Sequence, residues 1–333
     1  GGRSNGAVQA HTRELDVSDR RFVHVLDEAG RPVPGARVNI VDEVSDRVVW
    51  TGTTYGDGTA PVYLGLDPAH LKAADGGFAV APKGGWLVQV AAGDARASQR
   101  WDGRTDELAV TLDTEVPREE TVPLDVVFLI DTTGSMGDEI ARVKATLLDV
   151  TARIRSDVAT PVDLRYAAVL YRDIGDAYLT STHEFTTDVA GFDEALRGVQ
   201  AQGGGDGPES LNQGLFQAVH GVGWRERAAK VVFMIADAPP HMDYEGDVPY
   251  TDSSVAALQR GIRVHSVAAS GLDRGGSYVF RQVAQVTRGR FIFIEYGSTA
   301  ASAASHGVTG SVGSNNLDAI IFDRVEAEIR GWG

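Results

Sequence analysis

The chain has 333 residues, more than one average domain, and with 43% apolar residues it can bury a full core. Its net charge of −15 sets it against anionic partners, a nucleic-acid duplex or an acidic membrane surface, and favours basic partners and cations. The absence of cysteine excludes disulfides, thiolate zinc sites and cysteine nucleophiles, and fits an oxidising compartment.

Residues 1–18 are polar and glycine-containing, and are expected to form a flexible N-terminal segment. The segment lacks the apolar stretch of a signal peptide, so it reads as a linker or a mature N-terminus whose export signal or anchor has been trimmed away. Residues 19–115 alternate short β-rich runs with turn signals. The runs are Phe22–Leu26, Ala36–Val41, Val48–Thr53, Pro61–Leu64, Trp86–Ala91, Ala95–Trp101 and Leu108–Leu112. Gly56-Asp57-Gly58 and Gly93-Asp94 look like hairpin turns, and the close spacing predicts a small all-β sandwich. An acidic, proline-containing linker, 116–123, follows.

From residue 124 to 333 the pattern becomes strand–helix alternation. Val126–Ile130 is an apolar, β-branched run too short for a helix, and reads as a strand buried on both faces. It ends at Asp131, and the next loop carries Thr133 and Ser135 before a helix opens near Asp138. That helix repeats Ile140, Val143, Leu147, Val150 and Ile154 on one face. Strands are predicted at Val162–Arg172, Tyr178–Phe185, Val231–Ala236, Ile262–Ala268 and Arg290–Ile294. Helices are predicted near Gly191–Val199, from Leu211, near Ser253–Arg260, Tyr278–Thr287 and Asn316–Arg330, with a loop over Ser298–Ser314. No run approaches the roughly 18–20 apolar residues of a transmembrane helix. The fold class is α/β, a doubly wound and mostly parallel sheet, in which ligands sit at the carboxyl ends of the strands. Three loops at those ends carry Asp131, Thr133 and Ser135, then Asp206, then Asp237. All-oxygen donors of this kind suit a hard divalent cation, Mg²⁺, Ca²⁺ or Mn²⁺.

Asp131-Thr-Thr-Gly-Ser135 resembles the D-x-[ST]-x-S motif of von Willebrand factor A domains, and Phe233-Met-Ile-Ala-Asp237 matches the aspartate-terminated strand of their third loop. The resemblance implies a metal-ion-dependent adhesion site that bridges to an acidic side chain of a protein or other macromolecular partner. It makes Asp131, Thr133 and Ser135 direct or near-direct metal contacts, and Asp237 a contact through water. Gly203-Gly-Gly-Asp206-Gly-Pro-Glu209 departs from the family, which often has threonine where Asp206 stands. Together with Ala236-Asp-Ala-Pro-Pro-His241 it is similar to a subset that includes bacterial and kinase-linked A domains. A third carboxylate would offset more of the metal's charge and weaken its bond to an acidic partner. Asp206 also reads as a helix N-cap, with Glu209 completing a capping box. Arg172-Asp173 reads as a surface ion pair, and His241 with Pro239-Pro240 as shaping the third loop. Upstream, Gly30-Arg-Pro-Val-Pro-Gly-Ala-Arg-Val38 resembles carboxypeptidase-regulatory or transthyretin-like sandwiches.

Enzymatic signatures are missing. Thr133 stands where a G-x-S-x-G elbow needs glycine, no H-E-x-x-H occurs, and Gly203–Gly205 is not followed by the Lys-Ser/Thr of a phosphate-cradling loop. A magnesium-dependent phosphotransferase with Asp131 as nucleophile would want a carboxylate at 133. The expectation is a non-enzymatic, secreted or surface-linked adhesion module of bacterial type. The alternative is an intracellular scaffold working with an ATPase or kinase.

Overall fold

The computed structural model describes residues 15, 17–64, 85–158, 160–205, 207–269, 271–293 and 317–332. Most of the N-terminal segment and the expected loop at 298–314 lie outside them, and so does Asp206. The first seven strands form an all-β region: β1 (Arg21–Leu26), β2 (Arg37–Asp42), β3 (Arg47–Thr53), β4 (Thr59–Val62), β5 (Trp86–Ala92), β6 (Ala95–Trp101) and β7 (Glu107–Thr111). They make a three-stranded sheet, β4-β1-β7, and a four-stranded one, β3-β2-β5-β6. Val23 and Val25 from the first meet Val38, Ile40, Val88 and Val90 from the second in one apolar cluster.

The two turn signals behave differently. At Gly93-Asp94 the register runs to Ala92 opposite Ala95, so this is a two-residue hairpin, and Gly93 supplies its positive φ of 58°. The Gly56–Gly58 turn is tight, with Gly58 N–H donating to Tyr55 O, but it is not a hairpin. There β3 leaves one sheet, and β4 enters the other to pair with β1. Turn residues report local backbone geometry, and sheet membership is decided by the longer-range pairing.

The second region is built on a six-stranded sheet in the order β10-β9-β8-β11-β12-β13. Its strands are β8 (Val122–Asp131), β9 (Val162–Tyr171), β10 (Thr180–Thr186), β11 (Ala229–Ala236), β12 (Ile262–Ala268) and β13 (Phe291–Phe293). Every pairing is parallel except that of the edge strand β10 with β9. The helices are α1 (Ile140–Asp157), α2 (Val189–Gly198), α3 (Leu211–His220), α4 (Tyr250–Gln259), α5 (Arg274–Val286) and α6 (Leu317–Ile329). Alternate residues of β8 feed opposite cores: Val126, Phe128 and Ile130 face the cluster holding α1 and α6, while Val127 and Leu129 face the one holding α3 and α5. That is why the strand reads as a continuous apolar run. The five residues forecast for the buried stripe of α1 all lie in the first cluster. α1 starts at Ile140, because the loop's exit is a short 3₁₀ turn over Gly134–Asp138.

β8 starts at Val122, inside the stretch expected to be linker, and the two regions are closely joined. Val255 and Leu258 of α4 and Val286 of α5 complete the apolar cluster of the all-β region. Thr53 Oγ1 donates to Gln259 O at 3.0 Å, Gly56 N–H donates to Glu328 Oε1 at 3.0 Å, and Arg288 pairs with Asp57 at 2.9 Å. Among the described residues no helix is long and apolar enough to cross a membrane.

Candidate metal centre

β8 and β11 are parallel neighbours, so Asp131 and Asp237 emerge on the same carboxyl-terminal edge. The loop after β8 folds back on its own aspartate: Asp131 Oδ1 accepts from Thr133 N–H at 2.9 Å and from Thr133 Oγ1 at 2.7 Å. Tyr171, at the end of β9, donates its hydroxyl to Asp131 Oδ2 at 3.2 Å. Ser135 Oγ reaches across to the third loop and donates to Asp237 Oδ1 at 2.9 Å. Asp131, Thr133, Ser135 and Asp237, four of the five residues singled out from sequence, are thus linked in one chain of contacts. The fifth, Asp206, lies outside the described residues.

The second loop is tied to the first through backbone. Gln202 N–H donates to Thr132 O at 3.0 Å and Gly134 N–H to Gly203 O at 2.9 Å. It is tied to the third loop by Glu209 N–H donating to Pro239 O, and His241 N–H to Glu209 O. Gly204 has a φ of +68°, and a Cβ there would come within 2.5 Å of Glu209 Oε1 and 3.2 Å of Thr133 Cβ. Substituting Gly204→Ala is therefore expected to lower stability by about 1–2 kcal/mol from the left-handed backbone alone. It should also push the second loop off Thr133, and urea unfolding with a parallel Mg²⁺ titration measures both effects.

The capping-box expectation fails. α3 begins at Leu211 with Ser210 at its N-cap, so Glu209 is not a third-position helix residue. Glu209 is instead buried, its carboxyl lying against Gly204 of the second loop, a position beside the site that the motif resemblance left unused. Tyr171 was also missed, since a strand-end tyrosine carries no local signal. Nor is Arg172-Asp173 a surface pair, because both are buried. Asp173 accepts from Ser210 Oγ and Tyr244 Oη, both at 2.7 Å, and Arg172 donates to Gln200 O and lies over the Tyr178 ring. Both residues brace the second loop. His241 stacks on Tyr244, with ring centroids 4.0 Å apart, in the third loop.

The electrostatics are those of crowded anions. Burial, and then the nearby charge of Asp237, push Asp131 up to about 7 despite the donors from Thr133 and Tyr171. Burial also raises Asp237. Among the described residues neither carboxylate is paired with a lysine or arginine. With both carboxylates ionised, Thr133 directs its single hydroxyl proton to Asp131, and Ser135 directs its own to Asp237. The two hydroxyl oxygens then stand 3.1 Å apart with lone pairs and no proton between them. A donor set of two carboxylates and two such hydroxyls fits a hard cation.

A doubly wound sheet whose carboxyl-edge loops gather hydroxyls and carboxylates defines the class of this protein. The chain belongs to the von Willebrand factor A domain family, which residues 125–295 match. It is similar to the alpha-protein kinase vwkA of Dictyostelium discoideum, 22% identical over 290 residues, covering 82% of this chain and 46% of that protein. It is also similar to an ariadne-like RING finger protein, R811, of Acanthamoeba polyphaga mimivirus, 29% identical over 118 residues, covering 35% of this chain and 11% of that one. The chain thus spans less than half the length of either relative. Among solved structures it resembles proximal thread matrix protein 1 from the mussel byssus, with a TM-score of 0.43 and 15% identity, covering 64% of this chain and 48% of that one.

Proposed function

We propose that the chain is a non-enzymatic, metal-dependent protein-binding module. Mg²⁺, or Ca²⁺ or Mn²⁺ in its place, is held by Asp131, Thr133 and Ser135, with Asp237 and Asp206 contributing directly or through water. The bound cation supplies Lewis acidity toward an acidic side chain of a macromolecular partner and fixes the three loops. The arrangement that carries this reading is the pair of hydroxyl oxygens of Thr133 and Ser135, 3.1 Å apart, each donating to one of two buried carboxylates. Membership of the A domain family supports a protein-interaction role. The all-β region is read as a sandwich of carboxypeptidase-regulatory type serving as a support, and the whole as an extracytoplasmic, adhesion-type protein of bacterial kind. Pull-down from a native extract with and without EDTA tests the proposal. Partners retained only with metal support it, and identical partners in both conditions would sink it.

A second reading has one observation in its favour. The match to a protein named as an alpha-protein kinase runs through most of this chain, which suits an intracellular scaffold working beside a kinase or ATPase. Fractionation of the native cell separates the two, since a purely cytosolic protein removes adhesion. Asp206 offers a finer test within either reading. Calorimetric Mg²⁺ titration is expected to show several-fold weaker binding in Asp206→Thr, with stronger metal-dependent capture of acidic partners. Equal metal affinity in both proteins would remove Asp206 from the site.

A further inference from the structure

The amino-terminal edge of the parallel sheet, opposite the loops just described, carries an unrelated feature. Where the all-β region meets the A domain, a cleft of about 460 Å³ opens against Arg20, Arg263, Arg288, Arg290 and Arg324. These guanidiniums come from four separate segments: the entry to β1, the start of β12, the turn between α5 and β13, and α6. In a chain of net charge −15 such a convergence is a local reversal of the field.

Only part of this charge is used by the fold. The two carboxylates on the wall are already engaged, Asp57 with Arg288 at 2.9 Å and Glu328 with Arg263 at 2.5 Å. Arg290 and Arg324 pair with no carboxylate among the described residues, and Arg20 lies over the Phe22 ring. Three positive charges are therefore left facing a concave space.

His265 adds an independent sign. It lies on the same wall, 2% exposed, with its ring stacked on Phe233 at 5.2 Å. Its Nδ1 accepts the backbone N–H of Arg290 at 3.1 Å. The neutral ring must then carry its proton on Nε2, and that buried donor has no hydrogen-bond partner. Burial and the charges of Arg263, Arg324 and Arg290 hold the ring in this neutral form, well below the usual histidine range. Buried unpartnered donors are rare in folded proteins, and this one lies inaccessible beside Arg263, Arg290 and Arg324, whose positive charge the neutral ring does nothing to offset.

We propose that this cleft binds a small, multiply charged oxyanion bearing two or three phosphoryl groups. Guanidinium forks match phosphate oxygens two at a time, which a surface of lysines would not do. The volume lies within the range of small-ligand sites, and a single carboxylate would leave two of the three free charges unanswered. Because its walls come from both regions of the chain, the ligand bridges them at the seam.

Titration calorimetry on the full chain in EDTA, with pyrophosphate and tripolyphosphate as probes and sulfate at matched ionic strength as control, tests the assignment. Saturable binding of one equivalent is expected. It should weaken roughly tenfold or more in Arg290→Glu/Arg324→Glu, which removes no ion pair of the fold. The urea midpoint of that variant confirms that it is folded. Flotation with phosphatidylcholine vesicles, plain or doped with phosphatidylinositol bisphosphate, distinguishes the sources. Binding to doped vesicles that is lost in the same variant assigns the phosphoryl groups to a lipid headgroup, and binding of the free anions alone assigns them to a soluble ligand. Absence of saturable binding to both anions and vesicles overturns the proposal, as does equal affinity in wild type and the double variant.

Discussion

Replacing Asp125 by alanine is expected to destabilise the A domain by about 3–5 kcal/mol, the loss typical when one member of a buried ion cluster is removed. Asp125 lies inside β8, its side chain inaccessible, where a strand between two apolar cores should carry no charge. It is held by Arg165, through Nε at 2.9 Å and Nη2 at 2.7 Å, and by Arg225 through backbone N–H and Nε, both at 2.9 Å. Arg165 reaches it from β9, and Arg225 from the segment before β11, so one carboxylate fastens the lower ends of three adjacent strands. Truncation leaves two guanidiniums facing an emptied space and a backbone N–H without its acceptor. Both arginines retain some exposure, which places the expected loss toward the lower figure. Urea unfolding checks the figure, and the same substitution in an Arg165→Met background should cost measurably less. A loss below about 1 kcal/mol in the wild-type background would show that solvent already screens the cluster.

The Asp125 cluster illustrates what a sequence withholds. Val126–Ile130 announces a doubly buried strand because its neighbours on both faces are apolar, which composition records locally. Asp125, one residue earlier, shows its role only beside Arg165 and Arg225, forty and one hundred positions away. The site divides in the same way. Asp131, Thr133 and Ser135 form a contiguous motif and Asp237 closes a recognisable strand, so all four were legible. Tyr171 joins them only because β9 is the parallel neighbour of β8. Glu209 was visible but misplaced, since a Gly-Pro-Glu run before a helix satisfies the rule for a cap equally well. The start of α3 at Leu211 separates these possibilities. The arginine cleft was not legible at all. Its members are scattered from Arg20 to Arg324, in a chain whose summed charge points the other way.

Asp131→Asn is expected to abolish the Mg²⁺-induced rise in stability while making the metal-free domain more stable at pH 8. A ligand at one hundred times its dissociation constant stabilises the fold by about 2.7 kcal/mol. That increment should be present in wild type and missing from the variant, because an amide supplies a weaker oxygen and no charge. The opposite change without metal follows from the sign of the shift. Asp131 is pushed up to about 7 in the fold, against the ordinary 3.8, so between those values the folded state holds a proton that the unfolded chain has lost. Metal-free stability consequently falls as pH rises through this window. By pH 8 the ionised carboxylate, buried and beside Asp237, weighs against folding by something on the order of 2–4 kcal/mol. Asparagine keeps an acceptor for Thr133 and removes the charge, so the pH dependence over that window should flatten in the variant. Urea midpoints at pH 5 and pH 8, with EDTA and with saturating Mg²⁺, give the four values needed. If wild type and variant respond alike to the metal, Asp131 is no ligand. If they respond differently to the metal but share the same pH slope without it, the strain lies elsewhere in the loops. If both responses appear, the charge at 131 acts against the metal-free fold and is offset by the cation, whereas a neutral residue there would suit the fold alone better.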